Sequence, residues 1–336
     1  MKLDINLRLL FSALFLILLA STFYPTNSNA QTPDGTAQRA DSVACGGNGT
    51  AIITDPGTTS CELQPDIQKI NFLRVDLCTA EPTAPTTSAP LDRTNCATFY
   101  RNDDGSEVTV QQGAGTQIGT AEDYSAIPHG TYTYGVVTMG TVFKYTASVT
   151  FSDTMTDTGG GGATKTCVTR PGSNPIMYGW HTGQNAAQSN VSCAANAVAS
   201  EVSIGINTVT MDGNNCKHLL NFNGTNGIVA AYLLEADDTL HDEVSDTDIV
   251  EAGSNGCASG TNNEVSKIMG VMTLATPIEI SANTVGMQIA YNNTRGLKLD
   301  LGDENEADES SIYKWDIAFF DFTLTAKKAR SRGSWR

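Results

Sequence analysis

The densest grouping of residues able to do chemistry is Asp300-Leu301-Gly302-Asp303-Glu304-Asn305-Glu306-Ala307-Asp308-Glu309, which packs six carboxylates into ten residues. Hard oxygen donors at that density suit Ca²⁺, so Asp300, Asp303, Glu304, Asn305, Glu306 and Asp308 are candidate calcium ligands. The segment has neither the EF-hand spacing nor its central glycine, which makes any site irregular; the alternative is a solvated acidic loop. His241 to Glu251 adds Asp242, Glu243, Asp246, Asp248 and Glu251. A different chemistry is offered by Tyr178-Gly179-Trp180-His181, where Tyr178 and Trp180 form a candidate aromatic platform for a sugar ring. The competing reading is an aromatic plug closing the end of a sandwich. Apart from Ca²⁺, no cofactor is implied.

Catalytic signatures are missing from the sequence. Gly159 to Thr166 resembles a phosphate-binding loop at a glance, but Thr164 stands where the glycine before Lys165 is needed, and Cys167 and Pro171 follow in place of a helix. There is no G-x-S-x-G, and the four histidines (His129, His181, His218 and His241) include no H-E-x-x-H. Cys216-Lys217-His218 is the one close Cys/His pair and no C-x-x-C occurs, which argues against zinc. A triad assembled from distant loops is defined by geometry and is left open by sequence.

What must hold any such site in place is signalled at the N-terminus. Lys2 and Arg8, the apolar run Leu9 to Ala20, Pro25 and the small residues Ser28-Asn29-Ala30 read as a cleavable export signal over 1–30, with the mature chain starting at Gln31. Export to an oxidising compartment makes the eight cysteines a disulfide framework. Cys78 and Cys96 bracket a Pro/Thr-rich excursion whose ends a bridge would clamp. Sequential pairing (Cys45 with Cys61, Cys78 with Cys96, Cys167 with Cys193, Cys216 with Cys257) is the working scheme, each bridge contributing roughly 3 to 4 kcal/mol.

The formal charge is -16, and removing Lys2, Asp4 and Arg8 takes the mature part to -17. Nucleic-acid binding needs clustered Lys and Arg, and the basic cluster here is the tail Lys327, Lys328, Arg330, Arg332 and Arg336, so nucleic acid is discounted as a partner. No later apolar stretch approaches the roughly 20 residues that cross a bilayer, so no transmembrane anchor is expected in the mature chain. The sequons at Asn48, Asn190 and Asn223 matter if the host glycosylates exported proteins.

Short alternating apolar runs punctuated by Gly, Asn and Asp predict an all-β protein. The expected organisation is an N-terminal sandwich domain over 31–157, a Gly-rich loop or linker over 158–166, a C-terminal β-rich domain over 167–326 and the basic tail 327–336. Within it, Lys69 to Cys78 alternates in two phases, as a strand with one extra residue does. Asn102 to Gly105 reads as a hairpin turn. Tyr132 to Thr138 and Phe143 to Phe151 read as two strands joined by a tight turn at Met139-Gly140, and Ala186 to Glu201 carries the one candidate short helix.

Ile127-Pro128-His129-Gly130-Thr131-Tyr132-Thr133-Tyr134 resembles the strand opener common in bacterial secreted Ig-like and prealbumin-like sandwich modules. The resemblance covers about a tenth of the chain and implies no catalytic residues. The expected fold is therefore an Ig-like or jelly-roll-type β-sandwich, or two stacked sandwiches, stabilised by disulfides. The expected function is a secreted or cell-surface structural protein, a filament or surface-layer subunit or adhesin-like module, that contacts itself or other surface proteins, with the periplasm as a further location. Trp315 to Thr325 is the candidate strand for exchange between subunits. A monomeric glycan- or calcium-binding module is the alternative, and a secreted hydrolase with a loop-assembled site the third reading.

Overall fold

The computed structural model describes residues 43–44, 50–51, 60–110, 115–157, 162–171, 176–178, 190–206, 210–212, 215–217, 219–224, 227–241, 265–293, 296–301, 311–317 and 321–329. Runs of β-branched and aromatic residues cut by Gly, Asn and Asp leave these residues almost wholly extended, with one turn of 3-10 helix at Ala121–Asp123. In chain order the strands are β1 (Val43–Ala44), β2 (Thr50–Ala51), β3 (Ser60–Leu63), β4 (Ile67–Cys78), β5 (Cys96–Val110), β6 (Gly130–Gly140) and β7 (Val142–Thr146). Next come β8 (Ser148–Asp157), β9 (Ala163–Thr169), β10 (Ile176–Tyr178), β11 (Val191–Ser192), β12 (Val202–Ile206), β13 (Thr210–Asp212) and β14 (Asn215–Lys217). The last are β15 (Leu219–Gly224), β16 (Gly227–Leu234), β17 (Lys267–Ile280), β18 (Thr284–Asn292), β19 (Leu297–Leu301), β20 (Ser311–Ile317) and β21 (Asp321–Lys328).

They assemble into an all-β sandwich. One nine-stranded sheet runs β10-β12-β7-β4-β6-β17-β16-β15, with β5 on the free side of β4; an eight-stranded sheet runs β1-β3-β19-β20-β8-β9-β11, with β2 on β8. Two ladders, β13–β14 and β18–β21, complete the pairing. A single buried cluster joins Ile70, Phe72, Val137 and Phe143 of the first sheet to Val149, Leu299 and Trp315 of the second and to Ile289, Tyr291 and Phe322 of the β18–β21 ladder. Gln68 is fully buried inside it, its Nε2 donating to Tyr291 Oη at 2.7 Å and Tyr145 Oη at 3.2 Å while its Oε1 accepts from Asn293 Nδ2 at 3.1 Å. A buried amide is tolerable only when satisfied in this way.

β4 is the spine of the larger sheet. Phe72 pairs with Met139 and Arg74 with Thr138, so Leu73 is an extra residue and the bulge expected in this strand is present. Two hairpins expected from local turn chemistry are not hairpins. The flanks of Asn102–Gly105 pair with the same side of β4, Arg101 opposite Arg74 and Ser106 opposite Phe72, so the four residues bulge out of one continuous strand, and Gly105 takes a φ of +81° to allow it. Likewise β6 and β7 lie end to end along the other side of β4, with Cys78 facing Tyr134 and Ile67 facing Thr146, so the chain passes Gly140 without reversing.

The strictly alternating run from Phe143 to Phe151 is divided at Ala147. Its first half lies in the nine-stranded sheet and its second in the eight-stranded one. Thr169 holds this corner: its N–H donates to Ala147 O at 3.0 Å, its Oγ1 accepts Ala147 N–H at 3.0 Å, and its hydroxyl lies 2.7 Å from Ser200 O.

The segment 158–166 does not separate two sets of strands. β8 and β9 on either side of it pair antiparallel, and Ala163 to Thr166 already belong to β9. Both sheets draw strands from both sides, as in β6 with β17, β7 with β12 and β3 with β19. Glycine content reports local backbone freedom and carries no information on long-range partners, which is why it reads as a linker. The stretch 190–201 is turn and short strand rather than helix, and Asn196 has a φ of 63°. Trp315 to Thr325 is shared between β20 and β21, each already in a ladder.

Two disulfides join Cys78 to Cys96 and Cys167 to Cys193, closing separations of 18 and 26 residues. Both are bridges of the sequential scheme. Cys61 is also disulfide-bonded. Cys45 and Cys257 lie outside the described residues, and Cys216 is described only as a backbone position in β14.

Candidate functional site

The sequence-predicted site residues are not brought together in the described part of the molecule. Asp300 sits on β19 opposite Ser60 and Lys314, while Asp303, Glu304, Asn305, Glu306 and Asp308 lie outside the described residues. Tyr178 pairs with Ile206 at the edge strand β10, and Trp180 and His181 also lie outside. His129 is exposed; His241 is buried. Among the described residues, no group of three or more His, Cys, Asp or Glu could hold a metal ion.

Charged chemistry converges elsewhere, on the outer face of the nine-stranded sheet. Alternation along β4 sends Val75 and Leu77 into the main core and turns Arg74, Asp76 and Cys78 outward. Asp76 is nonetheless fully buried, because the excursion between Cys78 and Cys96 folds back over it. Arg74 Nε donates to Asp76 Oδ1 at 2.8 Å and Oδ2 at 2.9 Å, Arg93 Nε donates to Oδ2 at 3.2 Å, and Thr98 Oγ1 donates to Oδ1 at 2.5 Å. Arg74 Nη2 in turn donates to Thr98 Oγ1 at 2.7 Å. Burial in the first place, and the neighbouring Arg74 charge after it, hold the Arg93 guanidinium below its ordinary pKa.

The excursion is built to lie flat. Thr79 N–H donates to Asn95 O at 3.0 Å next to the disulfide, and Asp92 N–H to Thr83 O at 3.1 Å, which brings Leu91 down on the sheet. Leu91 packs there with Cys78, Val136, Tyr232, Leu234, Met269 and Val271 in a second, smaller apolar cluster. A turn after β16 closes the other side. Glu235 N–H donates to Thr239 O at 2.9 Å, and Leu240 N–H reaches Thr86 O of the excursion, also at 2.9 Å. Inside this turn His241 Nδ1 contacts Glu235 Oε1, and Lys267 Nζ donates to Asp238 Oδ1 at 2.6 Å and Ala236 O at 2.8 Å.

Further along the same sheet, charges form a lattice in water. Lys69 and Lys144 stand directly opposite each other on β4 and β7. Like charges at that separation destabilise a sheet. Glu107 offsets this from β5, with Oε2 2.5 Å from Lys144 Nζ and Oε1 3.6 Å from Lys69 Nζ, while Glu201 lies 2.6 Å from Lys69. The Lys144 hydrogen bond holds the Glu107 carboxyl below its ordinary pKa, and the Glu201 hydrogen bond raises that of Lys69.

Each acid of the buried network is held by a base or a hydroxyl, and the pairs brace one flap and one turn against the sheet. Sequence reading missed Arg74, Asp76, Arg93 and Thr98. A signal was present in Arg74-Val75-Asp76-Leu77, two charges alternating with core residues inside an otherwise apolar strand. No protein-family model, no curated protein and no solved structure matches the chain.

Proposed function

We propose that the chain is a secreted or cell-surface structural subunit that acts by strand-edge contact with further copies of itself. The observation that carries this reading is the contrast between the two ends of the nine-stranded sheet. At one end, the edge of β5 is defended: Arg101, Asp103, Asp104 and Glu107 line it, and the segment around Ala121–Asp123 covers part of it, Ser125 N–H donating to Phe99 O at 3.0 Å. At the other end β15 pairs, among the described residues, with β16 alone, and its six residues, Leu219 to Gly224, include no charge and no proline. An undefended strand of that kind offers a row of backbone donors and acceptors to a second strand.

Light scattering after size-exclusion chromatography of the oxidised chain from Gln31 tests this. Assembly is expected, with Asn221→Lys placing a charge on β15 and shifting the population to monomer. A wild-type chain that stays monomeric at high micromolar concentration overturns the reading.

A further inference from the structure

Thr138 lies on β6, on the face that carries Arg74 and Asp76, and its neighbours across the strands are Arg74 on one side and Met269 on the other. The residue is 3% exposed, and its hydroxyl has no hydrogen-bond partner among the described residues. A buried hydroxyl without a partner loses its hydrogen bonds to water and gains none, so such a group needs a reason.

The two guanidinium groups beside it are also incompletely used. Arg74 donates through Nε and Nη2, and Arg93 through Nε and Nη2, leaving Nη1 of each without a hydrogen bond among the described residues. The acceptor of Arg93 Nη2 is Met269 Sδ at 3.5 Å, and a thioether is a weak acceptor for a charged donor. The arginines remain within reach of solvent, with side chains 22% and 13% exposed.

Spare guanidinium donors beside an orphan hydroxyl are what recognition of an oxyanion requires. We propose that this face holds a binding site for a small oxyanion, which displaces Arg93 Nη2 from Met269 Sδ and takes hydrogen bonds from Arg74, Arg93 and Thr138 Oγ1. The site is independent of strand-edge assembly: it lies under the 79–95 flap, on β4, β6 and β17, away from β15. Carboxylate, phosphate and sulfate share the necessary chemistry, and comparing them distinguishes the source.

The test measures melting temperature and calorimetric binding on the full oxidised chain with sulfate, phosphate and acetate, each against chloride at matched ionic strength. Sulfate raises the stability of folded proteins generally by exclusion from their surface, so the decisive comparison is with Thr138→Val, which keeps the side-chain shape and removes the hydroxyl. Without oxyanion, Thr138→Val is expected to melt at or above the wild-type temperature, since an unsatisfied hydroxyl has gone. With oxyanion, its affinity is expected to fall about tenfold, the value of one hydrogen bond to a charged partner. Arg93→Gln is expected to abolish binding. Equal responses of wild type and Thr138→Val to every anion, or no response beyond chloride, overturn the proposal. A response to sulfate and phosphate without acetate assigns a tetrahedral anion, and the reverse assigns a carboxylate.

Discussion

Asn190 gives both ends of its side-chain amide to the main chain of Trp315: Nδ2 donates to Trp315 O at 2.8 Å and Oδ1 accepts Trp315 N–H at 2.7 Å. The amide thereby acts as one more rung of a ladder, between the start of β11 and the middle of β20, where both residues are fully buried. Asn190→Ala removes both bonds and leaves two buried main-chain groups unpaired, at about 1–3 kcal/mol each. The expected result is a loss of about 2–6 kcal/mol in denaturant unfolding with the midpoint, not the slope, carrying the change. The same geometry takes Asn190 out of reach of a glycosyltransferase once folded, although Asn190-Val191-Ser192 is a sequon. Mass spectrometry of chain made in a glycosylating host should find this position unmodified.

The corner at Ala147 gives a second expectation. Thr169→Val keeps the volume and the branched Cβ but removes the oxygen that accepts Ala147 N–H and lies against Ser200 O. Burying those two groups without partners should cost about 2–4 kcal/mol, while Thr169→Ser should retain most of the stability. Equal losses in both variants would point instead to packing of the methyl group.

These two cases show why parts of the fold were legible and others were not. The Leu73 bulge could be read because an extra residue flips the inward phase, from Ile70 and Phe72 to Val75 and Leu77, and that flip is written in the sequence itself. The Ala147 corner could not, because Phe143, Tyr145, Val149 and Phe151 face the same core from two different sheets and their alternation never breaks. Asn102 to Gly105 has turn chemistry whether its flanks pair with each other or with β4. The Asp76 network was hidden for a related reason: Arg74 and Thr98 belong to paired strands, but Arg93 arrives from the Pro/Thr-rich excursion, and a contact of that range has no local signature.

Removing the carboxylate at the centre of that network should be more damaging than removing either base. Asp76→Ala leaves Arg74 and Arg93 facing each other in a buried site with Thr98, and breaking a buried ion pair from one side costs about 3–5 kcal/mol. Arg93→Ala leaves Asp76 with Arg74 and Thr98 still in place, so a smaller loss is expected, concentrated in hydrogen-exchange protection of 79–95. A double-mutant cycle on Asp76 and Arg93 measures the coupling directly.

The lattice of Glu107, Lys69, Lys144 and Glu201 predicts a small acid sensitivity with a defined sign. The folded-state pKa of Glu107 is depressed, so its contribution is fully present above the unfolded value of 4.5 and is lost as pH falls through the lower folded value. The raised pKa of Lys69 works in the opposite sense: its contribution is present below 10.5 and lost as pH rises through the folded value. Both groups are partly exposed, so water and salt screen them and each effect amounts to about 0.2–1 kcal/mol. Glu107→Gln should flatten the acid limb of stability against pH, and 1 M salt should reduce the difference between variant and wild type.

The Cys78–Cys96 bridge joins residues that already face each other on β4 and β5, and it spans the foot of the flap over the second apolar cluster. Its separation of 18 residues corresponds to about 3 kcal/mol of restriction on the unfolded chain. Replacing both cysteines by alanine should therefore lower the melting temperature of the whole molecule. It should not release the flap, because Leu91 remains in its apolar seat, Arg93 remains on Asp76, and Leu240 N–H still holds Thr86 O. Limited proteolysis separates the two effects: the variant is expected to unfold earlier yet to resist cleavage within 79–95 under native conditions. Rapid native-state cleavage there would mean that the disulfide, and not the Asp76 network, keeps the flap closed.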